Sequence, residues 1–445
     1  MAKEKKIQDY DGLYSFLRHY VDCFLKLSYR NIKYTGLENL PKDGAVIFAP
    51  NHTNALMDAL VILAMDRSPK VYVARADIFK KPLLAKIFKF LKIMPIMRIR
   101  DGINEVKKNN ETIEKAVDVL RDKVPFCIFP EGQHLAKHSA QPLAKGIFRI
   151  AFQAQELMPD MPLYIVPVGI RYGNFFRFRS TVRMHVGEPI NVGDFMRENS
   201  SEPPQVQMNI LKDILAERIK GITMYIPNDD DYNAVYEICA ATVTKRIAEL
   251  NAAREGGAMH PYDAHFEANS FTVREIARLK EQEPQKAAKV LELGHKAFAL
   301  RNARRISLSS VIAKYPLVRR IPKTLLFIAL FPYFLTASVA VLPINGVCSF
   351  LFTKLKDMAF RNSIRYLILL LMWPVLMIIY TCVAFSVFPW EWALAGILAL
   401  VPSPVVAHEL WRLIRLDISD FKLLTDKKLR NIYKQIADLM HNNAD

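Results

Sequence analysis

The sequence has few cysteines, a deficit of acidic residues and no segment typical of a secretory signal. Its five cysteines lie far apart, without a Cys-x-x-Cys pair or a matching histidine pattern, which argues against a zinc site and a disulfide framework. The charged start MAKEKKIQDYDG precedes no short apolar core with a small-residue cleavage site, so we predict no secretory signal. These absences favour a protein whose main folded portion faces the reducing cytosol.

Positive charge and apolar residues are abundant instead. Lys and Arg number 61 against 44 Asp and Glu, a net charge of +17, and 51% of residues are hydrophobic. The charge predicts an anionic partner, which can be a nucleic acid, an acidic lipid surface or a phosphorylated substrate. The hydrophobic fraction favours lipid. At 445 residues the chain is long enough for two or three structural units.

Residues 33–200 are predicted to form an α/β domain, because short apolar runs alternate with helical stretches. The apolar runs are 45–49, 70–76, 126–130, 163–170 and 182–190, and the helical stretches are 58–66, 82–92 and 109–123. This alternation predicts a mostly parallel sheet flanked by helices. Ahead of it, residues 1–32 carry a helical pattern over 10–32 that is too polar to span a bilayer. That helix either lies on a membrane surface or packs on the core.

The second half of the chain is predicted to be helical and then hydrophobic. Residues 201–322 read as amphipathic helices of a connector, and 323–410 contain three long apolar runs, at 324–352, 366–390 and 392–407. A bilayer needs ~20 apolar residues per crossing helix, and basic residues mark the cytoplasmic side. They stand before the first run, between the first two and after the third, at Arg319, Arg320, Lys323, Lys354, Lys356, Arg361, Arg365, Arg412, Arg415 and Lys422.

This charge distribution predicts that the first apolar run enters the membrane and returns, with its break at PING (343–346). A two-helix hairpin would follow, and residues 411–445 would form a cytoplasmic helical tail. The first run is also long enough for a single tilted span. We therefore expect an integral membrane protein whose catalytic domain faces the cytoplasm.

Two polar residues follow the apolar run at 45–49. The stretch PNHTNALMD (50–58) places His52 in a loop and Asp58 in the first turn of a helix, with Asn54 as the expected N-cap. In a continuous helix the two side chains would point about 240° apart, so His52 has to lie in the loop for them to meet. A carboxylate on one ring nitrogen then leaves the other to act as a general base. On its spacing alone the stretch is weak evidence for chemistry, and a capped loop without a chemical role also fits it.

Further motifs follow in order along the chain: MPIMRIRDG (94–102), FPEG (129–132), PLAKG (142–146) and IVPVGI (165–170). With NHTNALMD, the first, second and fourth of these resemble the blocks of the PlsC-like glycerolipid acyltransferase superfamily, which includes glycerol-3-phosphate and lysophosphatidate acyltransferases. The resemblance covers about residues 30–195. The stretch GLENLPKDGAVIFAPNH and the C-terminal apolar runs look most similar to the subgroup of glycerol-3-phosphate and dihydroxyacetone-phosphate acyltransferases. One departure is that five residues, TNALM, separate the histidine from the aspartate, where the family commonly has four.

The resemblance implies the roles of the first block. His52 would be the general base that removes a proton from a glycerol hydroxyl, and Asp58 would orient His52 and stabilise its protonated form. Transfer would be direct, without an acyl-enzyme, so Cys127 would be a core residue.

The resemblance also implies the residues that bind the substrate. Arg98 or Arg100 would bind the phosphate, with Arg98 favoured, although both face the same way if the block is a strand. Glu131 and Gly132 would contact the glycerol-phosphate end, where a glycine allows close approach of the backbone. Lys145 is a further candidate for the phosphate.

The favoured hypothesis is an acyltransferase that takes a fatty acyl group from acyl-CoA or acyl-carrier protein and transfers it to glycerol 3-phosphate at sn-1. The alternatives are a 1-acylglycerol-3-phosphate acyltransferase and a membrane-anchored lipid-binding protein without turnover. A nucleic-acid binder would explain the charge but neither the apolar runs nor the paired blocks, so we expect no nucleic-acid partner. The expected partners are the bilayer, the acyl donor and the glycerol-phosphate acceptor, with no metal and no resident cofactor.

Overall fold

The computed structural model describes residues 6–96, 109–255, 257–313 and 316–441. The chain divides into two compact units, each made of two segments. The first unit combines Met1–Thr223 with Phe352–Leu370, and the second combines Met224–Leu351 with Leu371–Asp445.

The first unit is built on a mostly parallel sheet. Its strands are β1 (Tyr29–Thr35), β2 (Ala45–Pro50), β3 (Val71–Arg75), β4 (Ile93–Ile96), β5 (Phe126–Cys127), β6 (Leu163–Tyr172), β7 (Ser180–Val186) and β8 (Ile190–Asn191). The order is β1-β7-β6-β2-β5-β3-β4, with β8 paired to β6. Only the pairs that β6 makes with β7 and β8 are antiparallel among those described. The predicted α/β class with a mostly parallel sheet is confirmed.

Helices flank this sheet. They are α1 (Gly12–Ser28), α2 (Leu56–Leu63), α3 (Pro82–Phe90), α4 (Asn109–Arg121), α5 (Gly146–Leu157), α6 (Val192–Glu198) and α7 (Pro204–Ile222). Every residue of β2 is buried, which is why its sequence reads as a continuous apolar run instead of an alternation. In α7, Leu211, Leu215 and Ile219 recur at helical spacing and join the core of this unit. Helix α7 therefore packs in the first unit, although the sequence assigned it to the connector.

The helix predicted over residues 10–32 ends at Ser28, and the residues that follow form β1, which pairs in parallel with β7. The chain turns out of the helix because Arg179 fixes this junction. Its backbone N–H donates to Ser28 O at 2.8 Å and its guanidinium donates to Tyr29 O at 2.9 Å. The helix therefore ends earlier than predicted, because contacts with Arg179, about 150 residues later in the sequence, hold the chain at this point.

The second unit consists of helices in the part of the chain that the structure describes. Its helices are α8 (Tyr232–Ala252), α9 (Pro261–Gln282), α10 (Pro284–Ala303), α11 (Leu308–Ile312), α12 (Pro316–Ala340), α13 (Leu342–Lys354), α14 (Phe360–Val387), α15 (Trp390–Leu400), α16 (Ser403–Thr425) and α17 (Lys427–His441). The end of α13 and the start of α14 lie in Phe352–Leu370, which belongs to the first unit. Within its core, Arg301 Nε donates to the fully buried Glu237 carboxylate at 2.7 Å, and the Tyr433 hydroxyl also donates to it.

Two helical segments, Arg320–Ala340 and Phe360–Val387, are long and apolar enough to cross a membrane. Helices α15 and α16, which are bent by 53° at their junction, can form a third crossing if they act as one broken span. The break predicted at residues 343–346 is wrong, because the chain leaves the helix at Val341 and those residues lie inside α13. Pro343 stands in the first turn of α13, where a backbone N–H has no partner within the helix, so proline costs no hydrogen bond there. The predicted boundary at residue 410 falls inside α16.

Candidate active site

The site forms where three neighbouring parallel strands end. Strand β2 lies between β5 and β6 and is parallel to both, so the carboxyl ends of all three strands meet at one edge of the sheet. His52 follows β2, Glu131 follows β5, and Tyr172 is the last residue of β6. Strand pairing therefore brings together residues that are far apart in the sequence.

His52 and Asp58 meet at this edge. His52 Nδ1 and Asp58 Oδ2 are 2.8 Å apart. The same oxygen accepts hydrogen bonds from the backbone N–H groups of Thr53 and Asn54, each at 2.7 Å, and the other oxygen accepts one from the Tyr172 hydroxyl at 2.7 Å. Asp58 is fully buried. Four donors therefore fix one carboxylate, and charge-assisted hydrogen bonds of this kind are the strongest in proteins.

This arrangement leaves one nitrogen of His52 for chemistry. Because Nδ1 donates its proton to Asp58, Nε2 carries the lone pair. The Phe129 ring stacks on the imidazole with centroids 4.1 Å apart, and the backbone of His52 is held by its carbonyl, which accepts from Leu135 N–H at 3.0 Å. The imidazole is 17% exposed, so a small molecule can reach a ring whose orientation is already set.

Ala55 accommodates the extra residue between His52 and Asp58. Helix α2 begins at Leu56, and Ala55 precedes it with φ 47° and ψ −125°, a conformation rare for residues other than glycine. The predicted N-cap role of Asn54 is wrong, because its side chain instead donates to Phe175 O at 3.1 Å. The reason is that the Asp58 carboxylate binds backbone N–H groups of the loop before it, so these residues adopt a more open conformation than a helix N-cap allows.

Glu131 supports the loop that contains His52. Its carboxylate oxygen Oε2 accepts a hydrogen bond from the His52 backbone N–H at 3.3 Å and one from Gln141 Nε2 at 2.8 Å. Burial outweighs these hydrogen bonds and raises the pKa of Glu131 to about 8. At neutral pH the side chain is therefore mostly a neutral acid that braces the loop, and its predicted contact with substrate stays a prediction.

Gly132 and Lys145 stand beside Glu131. Gly132 has φ 66°, which explains the glycine in FPEG because this backbone region disfavours side chains. The Ala144 N–H donates to Pro130 O at 2.7 Å, so the residue before Lys145 is tied to the turn that contains Glu131 and Gly132. Both Gly132 and Lys145 are exposed and thus accessible to a ligand.

The two arginines proposed for the phosphate, Arg98 and Arg100, lie in residues 97–108, outside the described residues, and their roles stay predictions. Within the described ranges, no group of three or more His, Cys, Asp or Glu could hold a metal ion.

Three residues of the site were not assigned from the sequence. Tyr172 ends the apolar run LYIVPVGIRY, and a polar side chain at that strand end was the available signal. Gln141 had no signal, because its contact with Glu131 depends on how the intervening loop folds. His134 lies 5.4 Å from His52 between ring centroids, whereas His138 is buried against Phe175, and burial lowers the pKa of His138 to about 3.

The chain resembles known proteins over its first half. Residues 31–171 match the family described as Acyltransferase. Glycerol-3-phosphate O-acyltransferase 2 of Saccharomyces cerevisiae is 28% identical over 38% of this chain and 24% of its own length. The 1-acyl-sn-glycerol-3-phosphate acyltransferase of Borreliella burgdorferi is 23% identical over 42% of this chain and 71% of its own length. The alignment with the yeast protein therefore spans only about a quarter of that relative.

The crystal structure of the 1-acyl-sn-glycerophosphate (LPA) acyltransferase PlsC from Thermotoga maritima aligns with 46% of this chain and 80% of its own, with 20% identity and a TM-score of 0.32. The Acyltransferase match begins in β1 and ends in β6, so it encloses His52, Asp58 and Glu131. The four sequence blocks all lie within this match, so residues 31–171 form a domain of the family described as Acyltransferase.

Proposed function

We propose that this protein transfers a fatty acyl group from a thioester, acyl-CoA or acyl-carrier protein, to a hydroxyl group of a glycerol phosphate. The hydrogen-bonded pair of His52 and Asp58, with Nε2 of the imidazole unengaged by Asp58, is the observation that carries the proposal. Glycerol 3-phosphate with transfer at sn-1 is the favoured acceptor, and the name of the yeast relative, a glycerol-3-phosphate O-acyltransferase, supports glycerol 3-phosphate. The name of the Borreliella relative supports the second candidate, a 1-acylglycerol-3-phosphate acceptor.

The reaction needs one base and no covalent intermediate. His52 Nε2 takes the proton of the acceptor hydroxyl, and the oxygen attacks the carbonyl carbon of the thioester. The C–S bond then breaks, and the proton on His52 passes to the leaving thiolate. Asp58 stabilises the imidazolium that forms in between, because its charge lies 2.8 Å from Nδ1. Phe129 covers one face of the ring and limits the access of water, which would hydrolyse the thioester.

The phosphate of the acceptor requires cations near this base. In our proposal Lys145 contributes one, because it follows Ala144, which is bonded to the turn that holds Glu131. Arg98 or Arg100 would provide a bidentate contact, the geometry that guanidinium groups offer to phosphate.

An acceptor panel tests the proposal. The full chain in lipid nanodiscs is given palmitoyl-CoA with glycerol 3-phosphate, dihydroxyacetone phosphate or lysophosphatidate, and products are identified by mass spectrometry. We expect one acceptor to be acylated and His52→Ala to reduce the product at least 10³-fold. His295→Ala, which alters an exposed histidine of the second unit, is the matched control and should retain activity. Wild-type protein that acylates no acceptor would favour the lipid-binding alternative, and undiminished product from His52→Ala would refute the catalytic role.

The proposed partner of the apolar helices is a bilayer, with the catalytic domain on its cytoplasmic side. The positive-inside distribution of Lys and Arg supports this orientation. A second feature supports contact of the first unit with the same surface: α3 has no buried residue, although most of its residues are apolar. Its exposed residues Leu83, Leu84 and Ile87 lie on one face, and Lys86 and Lys89 flank it. Such a face fits an anionic lipid surface.

Helix α1 extends this apolar surface. Leu13 and Phe16 on α1 are 60% and 73% exposed, and Tyr14 packs on Phe90 of α3 with ring centroids 6.1 Å apart. Helix α1 is also bonded to the start of α14, because the Tyr366 hydroxyl donates to the backbone at 2.9 Å. The helix therefore lies beside the point where a candidate crossing helix begins, which favours the membrane-surface interpretation of residues 1–32.

Fluorescence measures whether α3 touches lipid. An environment-sensitive dye is attached to Leu83→Cys, or to Glu114→Cys on the exposed face of α4, in a protein whose exposed Cys23 and Cys382 are serine. We expect the emission at position 83 to shift to the blue in nanodiscs that contain anionic lipid, and the emission at position 114 to remain water-like. Equal, water-like emission at both positions would refute the contact.

A further inference from the structure

A second histidine–carboxylate pair stands beside the first. His134 Nε2 and Asp357 Oδ2 are 2.7 Å apart, and the His134 ring meets the His52 ring edge-on, with centroids 5.4 Å apart and planes at 83°. Asp357 comes from the short stretch between α13 and α14, 223 residues after His134. A residue just ahead of a candidate membrane helix thus reaches the neighbour of the proposed base.

The Asp357 carboxylate is held in place for this contact. Its Oδ1 accepts the backbone N–H of Ala359 at 2.8 Å, which leaves Oδ2 for His134. Partial burial disfavours the charge, but the hydrogen bonds from Ala359 and His134 more than offset it and keep the pKa of Asp357 below its usual value. Asp357 is therefore ionised at neutral pH. The Phe360 ring also packs against His134, with centroids 4.8 Å apart and planes nearly perpendicular.

Residues 357–366, the docking segment, touch the catalytic loop at a second point. Asn362 Nδ2 donates to Phe175 O at 2.6 Å, and the same carbonyl accepts from Asn54 Nδ2 at 3.1 Å. Asn54 lies between His52 and Asp58, and both asparagines are buried. One carbonyl therefore joins the loop of the proposed base to the first turn of α14.

The docking segment is anchored at its far end as well. The Tyr366 hydroxyl donates to Val21 O at 2.9 Å, and the Arg365 guanidinium lies 5.5 Å from the centroid of the Phe178 ring. Helix α14 continues from this segment without interruption to Val387 through its apolar residues. The segment is thus a structural link between the site and the candidate membrane helix.

We propose, as an inference that rests on the proposed function, that Asp357 is a positioning residue for acyl transfer. It holds His134 against His52, so turnover depends on the docking segment. The imidazole of His52 stacks on Phe129 and contacts His134 with its plane nearly perpendicular to that ring, and both contacts restrict its rotation. Misplacement of a reacting group by about 1 Å can cost up to ~100-fold in rate. Release of one of two restraints is expected to cost roughly tenfold in kcat.

A double-mutant cycle in the full chain tests this role. In nanodiscs, with palmitoyl-CoA and the acceptor found by the panel, Asp357→Ala should lower kcat roughly tenfold while the KM of both substrates and the melting temperature stay near their wild-type values. Asp357→Asn, which keeps an oxygen as acceptor, should restore most of kcat. In a His134→Ala background Asp357→Ala should have no further effect, because Asp357 acts through His134. Lys356→Ala, at the adjacent exposed residue, is the matched control.

Three outcomes would overturn the inference: wild-type kcat in Asp357→Ala, additive losses in the double mutant, or a melting temperature that falls in parallel with kcat. If Asp357→Ala does not fold, Asp357→Ser takes its place in the same cycle. A wild-type protein without acyl transfer would instead refute the proposed function, so the two failures are distinguishable.

Discussion

Replacing Asp58 by asparagine removes the negative charge beside His52 and keeps nearly the same shape. Three donors converge on Oδ2 and one on Oδ1. The amide oxygen can take the place of Oδ2, while the amide NH2 faces the Tyr172 hydroxyl, which can rotate to accept a hydrogen bond. The fold should therefore survive, with a loss of about 1–3 kcal/mol because charge-assisted hydrogen bonds become neutral ones.

The larger effect of Asp58→Asn falls on the reaction. In the transition state of the proposed reaction His52 gains a positive charge, and the 2.8 Å contact between Nδ1 and Oδ2 corresponds to charge centres roughly 4 Å apart. At an effective dielectric constant of about 20, such charges attract by ~4 kcal/mol. Loss of this attraction corresponds to about a 10³-fold decrease in kcat.

The assay measures kcat for the full chain in nanodiscs at saturating substrates, together with the melting temperature. Asp77→Asn is the control, because it removes one carboxylate from an exposed ion pair with Arg75 and should leave kcat within about twofold. A decrease smaller than tenfold in a folded Asp58→Asn protein would refute the reasoning, since the charge of Asp58 would then not support the base.

Three further predictions concern stability. Ala55→Gly should raise the free energy of unfolding by about 1 kcal/mol, because relief of ~1–3 kcal/mol of backbone strain exceeds the ~0.5–1 kcal/mol entropic cost of glycine; a lower denaturation midpoint would contradict this. Between pH about 4.5 and about 8 the folded protein holds the Glu131 proton that the unfolded chain releases, so stability falls as pH rises through this window. Glu131→Gln should remove that one-proton slope from melting curves, and an unchanged slope would contradict the burial argument. Glu237→Gln leaves the charge of Arg301 unpaired in the helical core and should cost ~3–5 kcal/mol, seen as a lower melting temperature; an unchanged value would count against a structural role for this ion pair.

Local sequence signals were sufficient for the central strands. The runs that form β2 and β6 are apolar because both faces of the sheet are covered, and their ends are marked by residues such as His52 that do not continue the run. Helix geometry predicted that His52 lies in the loop if it contacts Asp58, and the structure places the two 2.8 Å apart.

Contacts between distant segments account for what the sequence did not predict. Residues 29–32 continue a helical pattern, but pairing of β1 with β7 decides their conformation. Tyr172 reaches Asp58 only because β6 lies beside β2. The positive φ of Ala55 likewise has no local signal, since the chain adopts it to satisfy the hydrogen bonds of Asp58.

The conformation of Ala55 limits how this loop can vary among related proteins. Since the backbone N–H groups of the loop fix the Asp58 carboxylate, one residue can be inserted before α2 without separating the acid from the histidine, provided that the inserted position tolerates positive φ. Glycine, asparagine and alanine meet that condition at rising cost, whereas valine, isoleucine and threonine do not. Relatives with five intervening residues should therefore carry small or amide side chains at this position, and a search pattern that demands four would overlook them.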